Sequence, residues 1–212
     1  MVKKKAKRGF GETSYKETAF GIIPRSKLIP LEIEGVKKAW DFIVSKSKRN
    51  EVRLTPSFFK QIHRKGFGRI FPKMGGCFRT IEVRVSDHRP PESYRVPAMI
   101  LDFTKDLKIR LKYLQKTSDE KYLKTLIETL AWAHHRFLWI HPFADYNGRM
   151  ARLLTNMILL KLELPPIELK IQTGIGRKKY VMALKEADMG DNGKLERIIK
   201  EAIEETTQEI IF

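Results

Sequence analysis

Two helical patterns joined by a short turn constrain this chain more than anything else in it. From Glu120 to Ile140, Leu123, Leu126, Ile127, Leu130, Ala133, His134 and Phe137 recur on one side of a helix. From Arg149 to Leu162, Met150, Leu153, Leu154, Met157 and Ile158 do the same. Two antiparallel helices packed through those stripes make a rigid frame for the residues between them. Those residues are His141-Pro-Phe-Ala-Asp145-Tyr-Asn147-Gly148, and Arg149 and Arg152 follow at once. Asn-Gly is a turn signal. A turn that feeds a helix leaves backbone N–H groups pointing outward, and that end attracts phosphate. Arg149 and Arg152 share a helix face and can grip one anion together. His141, with an ordinary pKa near ~6.5, suits a general base. Asp145 suits Mg²⁺, an ion that takes few carboxylates together with phosphate oxygens. The run has the parts needed to handle a nucleoside triphosphate.

The remaining segments are read around that frame. Residues 1–30 look irregular, with Pro24 and Pro30 as breakers. Leu31 to Ser47 predicts a helix with Ile33, Val36, Ala39, Trp40, Ile43 and Val44 at suitable spacing. Thr55-Pro56 marks a second helix start, ending near Gly66. Phe78 to Val85 alternates and is rich in β-branched residues, which predicts a β-hairpin or an extended flap. Ala98 to Leu114 is helical again. The expected divisions are 1–30, a basic and partly disordered segment; 31–50, a helix; 51–205, the main domain; and 206–212, a tail.

Composition bounds the class. A chain of 212 residues with 42% hydrophobic content can bury a substantial core. No apolar run approaches the ~18 residues of a membrane helix, and no apolar segment follows the basic N-terminus as a secretory signal would require. The single cysteine, Cys77, excludes a disulfide framework and a cysteine zinc cluster. The expected compartment is the cytoplasm. The net charge of +17, part of it in Lys3, Lys4, Lys5, Lys7 and Arg8, favours acidic partners. Nucleic acid is possible but not favoured, because no interleaving of basic and aromatic residues marks a single-strand binder.

The run from His141 to Arg152 resembles the Fic motif, H-x-F-x-(D/E)-G-N-G-R-x-x-R, at every specified position but one: Tyr146 stands where the family has Gly. Gly76-Cys-Phe78-Arg79 with Val83-Arg-Val85 is similar to the segment that opens the family's flap. Ala133-His134…Phe137…Ile140-His141 and Arg177…Tyr180…Ala183-Leu184…Gly190-Asp191 are similar to its flanking motifs. The resemblance covers about residues 51–205. It implies a mostly α Fic-fold helical bundle with a β-hairpin flap, and transfer of AMP from ATP to a protein hydroxyl. His141 would deprotonate a target Tyr, Thr or Ser. Asp145 would bind Mg²⁺. Asn147 and the Gly148 amide would hold the α-phosphate region, and Arg149 and Arg152 the β- and γ-phosphates. Tyr180 would wall the base pocket. The flap residues Thr80, Ile81, Glu82 and Val83 would dock an extended, acidic target loop through main-chain hydrogen bonds.

Other readings stay open at this point. Gly at position 146 would permit positive φ and close phosphate approach, so Tyr146 leaves room for a kinase-like transfer of another phosphate group or for a weakened enzyme. Its ring would turn to solvent or stack on the nucleotide. Many relatives carry an inhibitory helix with (S/T)-x-x-x-E-(G/N). Glu34-Gly35 has that ending, with Pro30 at the first position, and predicts a contact from Glu34 to Arg152. Without it, restraint would come from a separate antitoxin-like partner. Two further classes are a metal-dependent hydrolase built on His134, His135, His141 and Asp145, and a basic nucleic-acid-binding protein without catalysis.

Overall fold

The computed structural model describes residues 16–85, 87–114, 119–171 and 174–211. The basic run Lys3 to Arg8 lies outside them. Two strands, β1 (Lys16–Thr18) and β2 (Gly21–Ile23), precede seven helices among the described residues: α1 (Arg25–Ser47), α2 (Pro56–Phe67), α3 (Val96–Leu114), α4 (Asp119–Ile140), α5 (Asn147–Lys161), α6 (Gly174–Asp188) and α7 (Gly193–Ile211). The mostly helical expectation holds. α4 is the central element and packs against α3, α5, α6 and α7. Phe59 of α2, Phe103 of α3 and Phe137 of α4 meet edge-on or tilted at its middle.

Helix α2 begins as its residues dictate. Thr55 accepts a hydrogen bond from the Phe58 amide (3.3 Å), and Pro56 occupies the first position. Helix α1 differs from its prediction. It starts at Arg25, with Leu28 N donating to Pro24 O (3.1 Å), and runs through Pro30. Residues 25–30, expected to be irregular, are therefore helical, and at the other end α7 continues through most of the expected tail. The buried side of α1 is Leu28, Glu32, Gly35, Ala39 and Ile43, whereas Ile33 is 64% exposed. Gly35 sets that rotation: a Cβ there would lie 2.1 Å from the carbonyl oxygen of Gly66 on α2. Backbone-to-backbone contact of that kind needs glycine.

The paired strands also lie elsewhere than predicted. β1 and β2 form an antiparallel hairpin with Lys16 opposite Ile23, tied to the core by Ala19 N donating to Ile70 O (2.9 Å). The segment after Gly76 is extended, and among the described residues its one ladder contact is the isolated antiparallel bridge between Val85 and His88. Among the described residues it forms no regular strand. Side chains hold it: Glu82 accepts from the Ser93 amide (2.8 Å), the His88 ring lies 3.0 Å from Trp139 O, and Arg79 contacts both arms, as described below.

Candidate functional site

The turn between α4 and α5 is braced from within. Asn147, buried at the start of α5, accepts from the Phe143 amide (2.9 Å) and donates back to Phe143 O (2.8 Å). Its side chain, expected to hold the α-phosphate region, spends one donor and one acceptor on closing the loop. His63, from α2, stacks on Phe143 with ring centroids 3.9 Å apart. Its Nδ1 accepts from the Gly76 amide (3.0 Å), which leaves Nε2–H to donate to Asp145 O (3.2 Å). Burial lowers its pKa to about 4. The sequence offered no signal for this role beyond the position of His63 on the apolar side of α2.

His141 sits at the C-terminal end of α4 with φ +51°, a left-handed conformation that costs a non-glycine residue energy. Its Nδ1 lies 3.3 Å from Leu138 O. A carbonyl only accepts, so Nδ1 carries the proton and Nε2 carries the lone pair. Burial, opposed by that hydrogen bond, lowers the pKa to about 4. The imidazole is neutral at pH 7 and presents a base nitrogen that has no partner among the described residues. Asp145, half-buried, accepts from the Tyr146 amide through Oδ1 (2.7 Å).

Beyond Tyr146 the first intrahelical bond of α5 is Met150 N to Tyr146 O. The Gly148 and Arg149 amides therefore precede the helix ladder, and no acidic residue occupies the first turn. A Cβ at Gly148 would have only the Arg152 guanidinium within 4 Å, at 3.9 Å. Arg152 is partly buried, and burial lowers its pKa, opposed by Tyr180 and reinforced by Arg149 and Arg177. It makes no ion pair among the described residues. A concentration of guanidinium groups at a helix N-terminus is an anion site. A cavity of about 580 Å³ between α1 and α5 opens beside it, lined by Ile33, Lys37, Trp40, Arg149 and Arg152.

Tyr146 corrects both expectations for its ring. The residue adopts φ +66°, so the left-handed turn usually given to glycine is kept. Its ring is buried, stacked on Phe67 at 4.0 Å and 8°. Its hydroxyl donates to Glu32 Oε1 (2.9 Å), and burial with that carboxylate raises its pKa. The other Glu32 oxygen accepts from Arg149 Nη2 (2.7 Å). Glu32 is 1% exposed.

The contact predicted from Glu34 to Arg152 is thus replaced. Glu34 pairs with Lys38 (2.6 Å) and Arg69 (3.1 Å) on the outer side of α1. Residues two apart on a helix point nearly oppositely. With Gly35 turned onto Gly66, Glu32 faces inward and meets Arg149. The 28-32-35-39-43 spacing was the available signal: it runs through a carboxylate that an otherwise apolar stripe would not contain.

Tyr180 forms part of a closed relay. It is buried, and its hydroxyl donates to His134 Nε2 (2.6 Å). His134 Nδ1–H donates to Thr155 Oγ1 (3.0 Å), whose own proton goes to Ala151 O (3.1 Å). Burial first, with Arg152 second, lowers the His134 pKa to about 3. His134 is fully engaged, and His135 binds Asp188 (2.8 Å). Among the described residues no three His, Cys, Asp or Glu side chains gather as a metal site, so the hydrolase reading finds no ligand set. Of the flap residues, Thr80, Ile81 and Glu82 are exposed, Ile81 at 59%. No helix of the described residues is long and apolar enough to cross a membrane.

Comparison with known proteins agrees with this geometry. The profile of the Fic/DOC family matches residues 53–159. A protein adenylyltransferase Fic from Nematostella vectensis is 30% identical over 190 residues, which are 90% of this chain and 42% of that protein. One from Drosophila melanogaster is 32% identical over 177 residues, 82% of this chain and 33% of that protein. The chain thus spans less than half the length of these curated relatives. Fic-1 from C. elegans superposes with a TM-score of 0.66 at 26% identity, over 85% of this chain and 50% of that one. BepC from Bartonella tribocorum, solved with bound AMPPNP, superposes with a TM-score of 0.68 over 91% of this chain and 94% of that one. Its 16% identity makes that a likeness of fold. The braced loop, the helix terminus beyond it and the family profile lead to one conclusion: the chain belongs to the Fic/DOC family.

Proposed function

We propose that this protein transfers AMP from ATP to a Tyr, Thr or Ser hydroxyl of a protein target. One observation carries the proposal: a neutral His141 whose Nε2 has no partner among the described residues precedes a helix N-terminus whose partly buried Arg152 makes no ion pair among them. Nε2 accepts the proton of the target hydroxyl. The hydroxyl oxygen bonds to the α-phosphorus, the bond to the bridging oxygen breaks, and pyrophosphate leaves with the electron pair. The Gly148 amide, Arg149 and Arg152 neutralise the phosphates. Tyr180 acts indirectly here, as the near neighbour of Arg152 rather than as a wall of the base pocket.

Mg²⁺ fits the donor set. Asp145 offers one hard carboxylate, the kind of donor Mg²⁺ takes together with phosphate oxygens and water. Mg²⁺ held there would neutralise charge on the phosphates. The relatives named protein adenylyltransferase support ATP as the donor.

Regulation is part of the same reading. Glu32 occupies the guanidinium of Arg149, so a triphosphate must displace it to use both arginines. An internal carboxylate favours self-restraint over a separate antitoxin-like partner. For the target, the exposed flap at Thr80 to Val83 remains the proposed docking strand. A basic hollow of about 590 Å³ beside it, with Lys60, Arg64 and Tyr94 in its wall, favours an acidic sequence. The test is incubation with α-labelled and γ-labelled ATP and Mg²⁺, with His141→Ala in parallel. Protein-bound label from the α-phosphate, absent in His141→Ala, is expected. Label from the γ-phosphate alone would make the protein kinase-like and overturn AMP transfer.

A further inference from the structure

Arg79 is the most heavily committed side chain outside the proposed chemistry. Its side chain is 0% exposed, and the nearest carboxylate, that of Glu82, lies 3.7 Å away and faces solvent. The guanidinium is spent on backbone carbonyls instead. Nε donates to His141 O (2.8 Å), Nη1 to Ile81 O (3.2 Å), and Nη2 to Pro91 O and to Ile140 O (3.4 Å). The Arg79 amide donates to Pro142 O (2.9 Å). These acceptors come from three places: the outgoing arm of the flap, its return arm, and the last residues of α4 running into the loop.

Each acceptor needs what Arg79 supplies. Ile140 O and His141 O lie at the C-terminal end of α4, where carbonyls lack helical partners and a cation is favoured. His141 holds φ +51°, which persists only where the surroundings enforce it. Among the described residues the flap has a single bridge, Val85 to His88. The Ser93 amide also donates to Glu82 across its arms (2.8 Å), and the His88 ring lies 3.0 Å from Trp139 O. Among these contacts Arg79 alone joins both arms to His141 itself. None of these acceptors belongs to α5, which carries Arg149 and Arg152.

We propose that Arg79 is a positioning residue whose guanidinium staples both arms of the flap to the backbone of His141, so that the docked hydroxyl and the base nitrogen keep a fixed separation. The proposal rests on His141 acting as the base. Arg79 cannot itself reach substrate, since it is sealed from solvent. Its charge also helps to keep His141 neutral. Lysine does not substitute: acceptors on separate segments need a planar fork of five donors, whereas an ammonium bonds from one point.

The test compares Arg79→Ala and Arg79→Lys in a Glu32→Gly background that retains Arg79 as control. The probe is self-labelling by α-labelled ATP, followed as a rate constant and a half-saturating ATP concentration. Displacing a base from its acceptor by about 1 Å costs roughly 100-fold in rate, so Arg79→Ala should lose about that much while half-saturating ATP changes less than about threefold. Millimolar guanidinium, below denaturing levels, should restore about tenfold or more in Arg79→Ala, and Arg79→Lys should stay impaired. Rate retained in either variant, a parallel rise in half-saturating ATP, or loss without guanidinium rescue overturns the proposal. If Arg79→Ala fails to fold, Arg79→Lys decides. If the control itself takes no α-label, the AMP-transfer reading has failed separately. The staple is then judged by hydrogen exchange at the Ile81 to Val85 amides and by the His141 ring resonances. Both should shift in the variant and return with guanidinium, and an unchanged pattern overturns the proposal.

Discussion

Replacing Glu32 by Gln removes one charge from the centre of the site and little else. The amide oxygen can still accept from the Tyr146 hydroxyl, but its NH₂ group now faces the Arg149 guanidinium, which only donates. What is lost is a charge-assisted hydrogen bond worth about 1.5–3 kcal/mol, with a longer ion pair to the half-exposed Arg25 (3.7 Å) that solvent screens. Arg149 is 25% exposed, so solvent screening favours the lower half of that range, about 1.5–2 kcal/mol. A triphosphate must break this contact to engage Arg149, so its removal should tighten Mg-ATP binding by that amount, about 10- to 30-fold. The empty protein loses the same interaction, and for a domain of this size its Tm should fall by about 3–8 °C. Calorimetric titration with a non-hydrolysable ATP analogue and a thermal scan measure both effects. Glu34→Gln, on the outer side of α1, should leave affinity unaltered. If Glu32→Gln lowers Tm but leaves affinity where it was, Glu32 is merely structural and the reasoning is refuted.

Two further outcomes follow from the same contacts. Gly35→Ala places a methyl group 2.1 Å from Gly66 O. It should push α1 off α2, lower stability by about 1–3 kcal/mol, and raise ATP affinity by loosening Glu32, an effect that titration of the variant would detect. The buried histidines set an acid limit. His63 and His141 are lowered to about 4, and His134 to about 3, from 6.5. The folded state therefore resists protons that the unfolded chain accepts. Stability is full above about pH 6.5 and declines as pH falls toward 4. The loss approaches roughly 1.4 kcal/mol per pH unit for each of the buried His63 and His134. Urea denaturation at pH 7, 5.5 and 4.5 checks the sign.

The helices near the loop were legible because their signals are local. The stripe on α4, Thr55-Pro56 ahead of α2, and Asn-Gly ahead of α5 each act within a few residues. Three features were not legible, for one physical reason: each depends on partners distant in sequence. The rotation of α1 is fixed by Gly35 against Gly66, so the choice between Glu32 and Glu34 could not be made from α1 alone. The Tyr146 ring turns inward because Phe67 and Glu32 wait there. The described part of the flap is held by side-chain contacts with distant residues, Arg79 to Pro91 O and His88 to Trp139 O among them, so β-branched alternation marked extended backbone without a ladder. His141, Asp145, Arg149 and Arg152 lie on or beside the one turn between α4 and α5 that their spacing placed them on, while the Asn147 side chain, read as a phosphate ligand, bonds to the Phe143 backbone as a loop brace.

The most direct test of the central claim is to map the modified residue. Glu32→Gly protein, with and without His141→Ala, is incubated with ATP and Mg²⁺ and its peptides are analysed by tandem mass spectrometry. The account predicts an adenylyl group on a Tyr, Thr or Ser oxygen in the first sample and none in the second. Adenylylation that persists without His141, or a bare phosphate in its place, would contradict it.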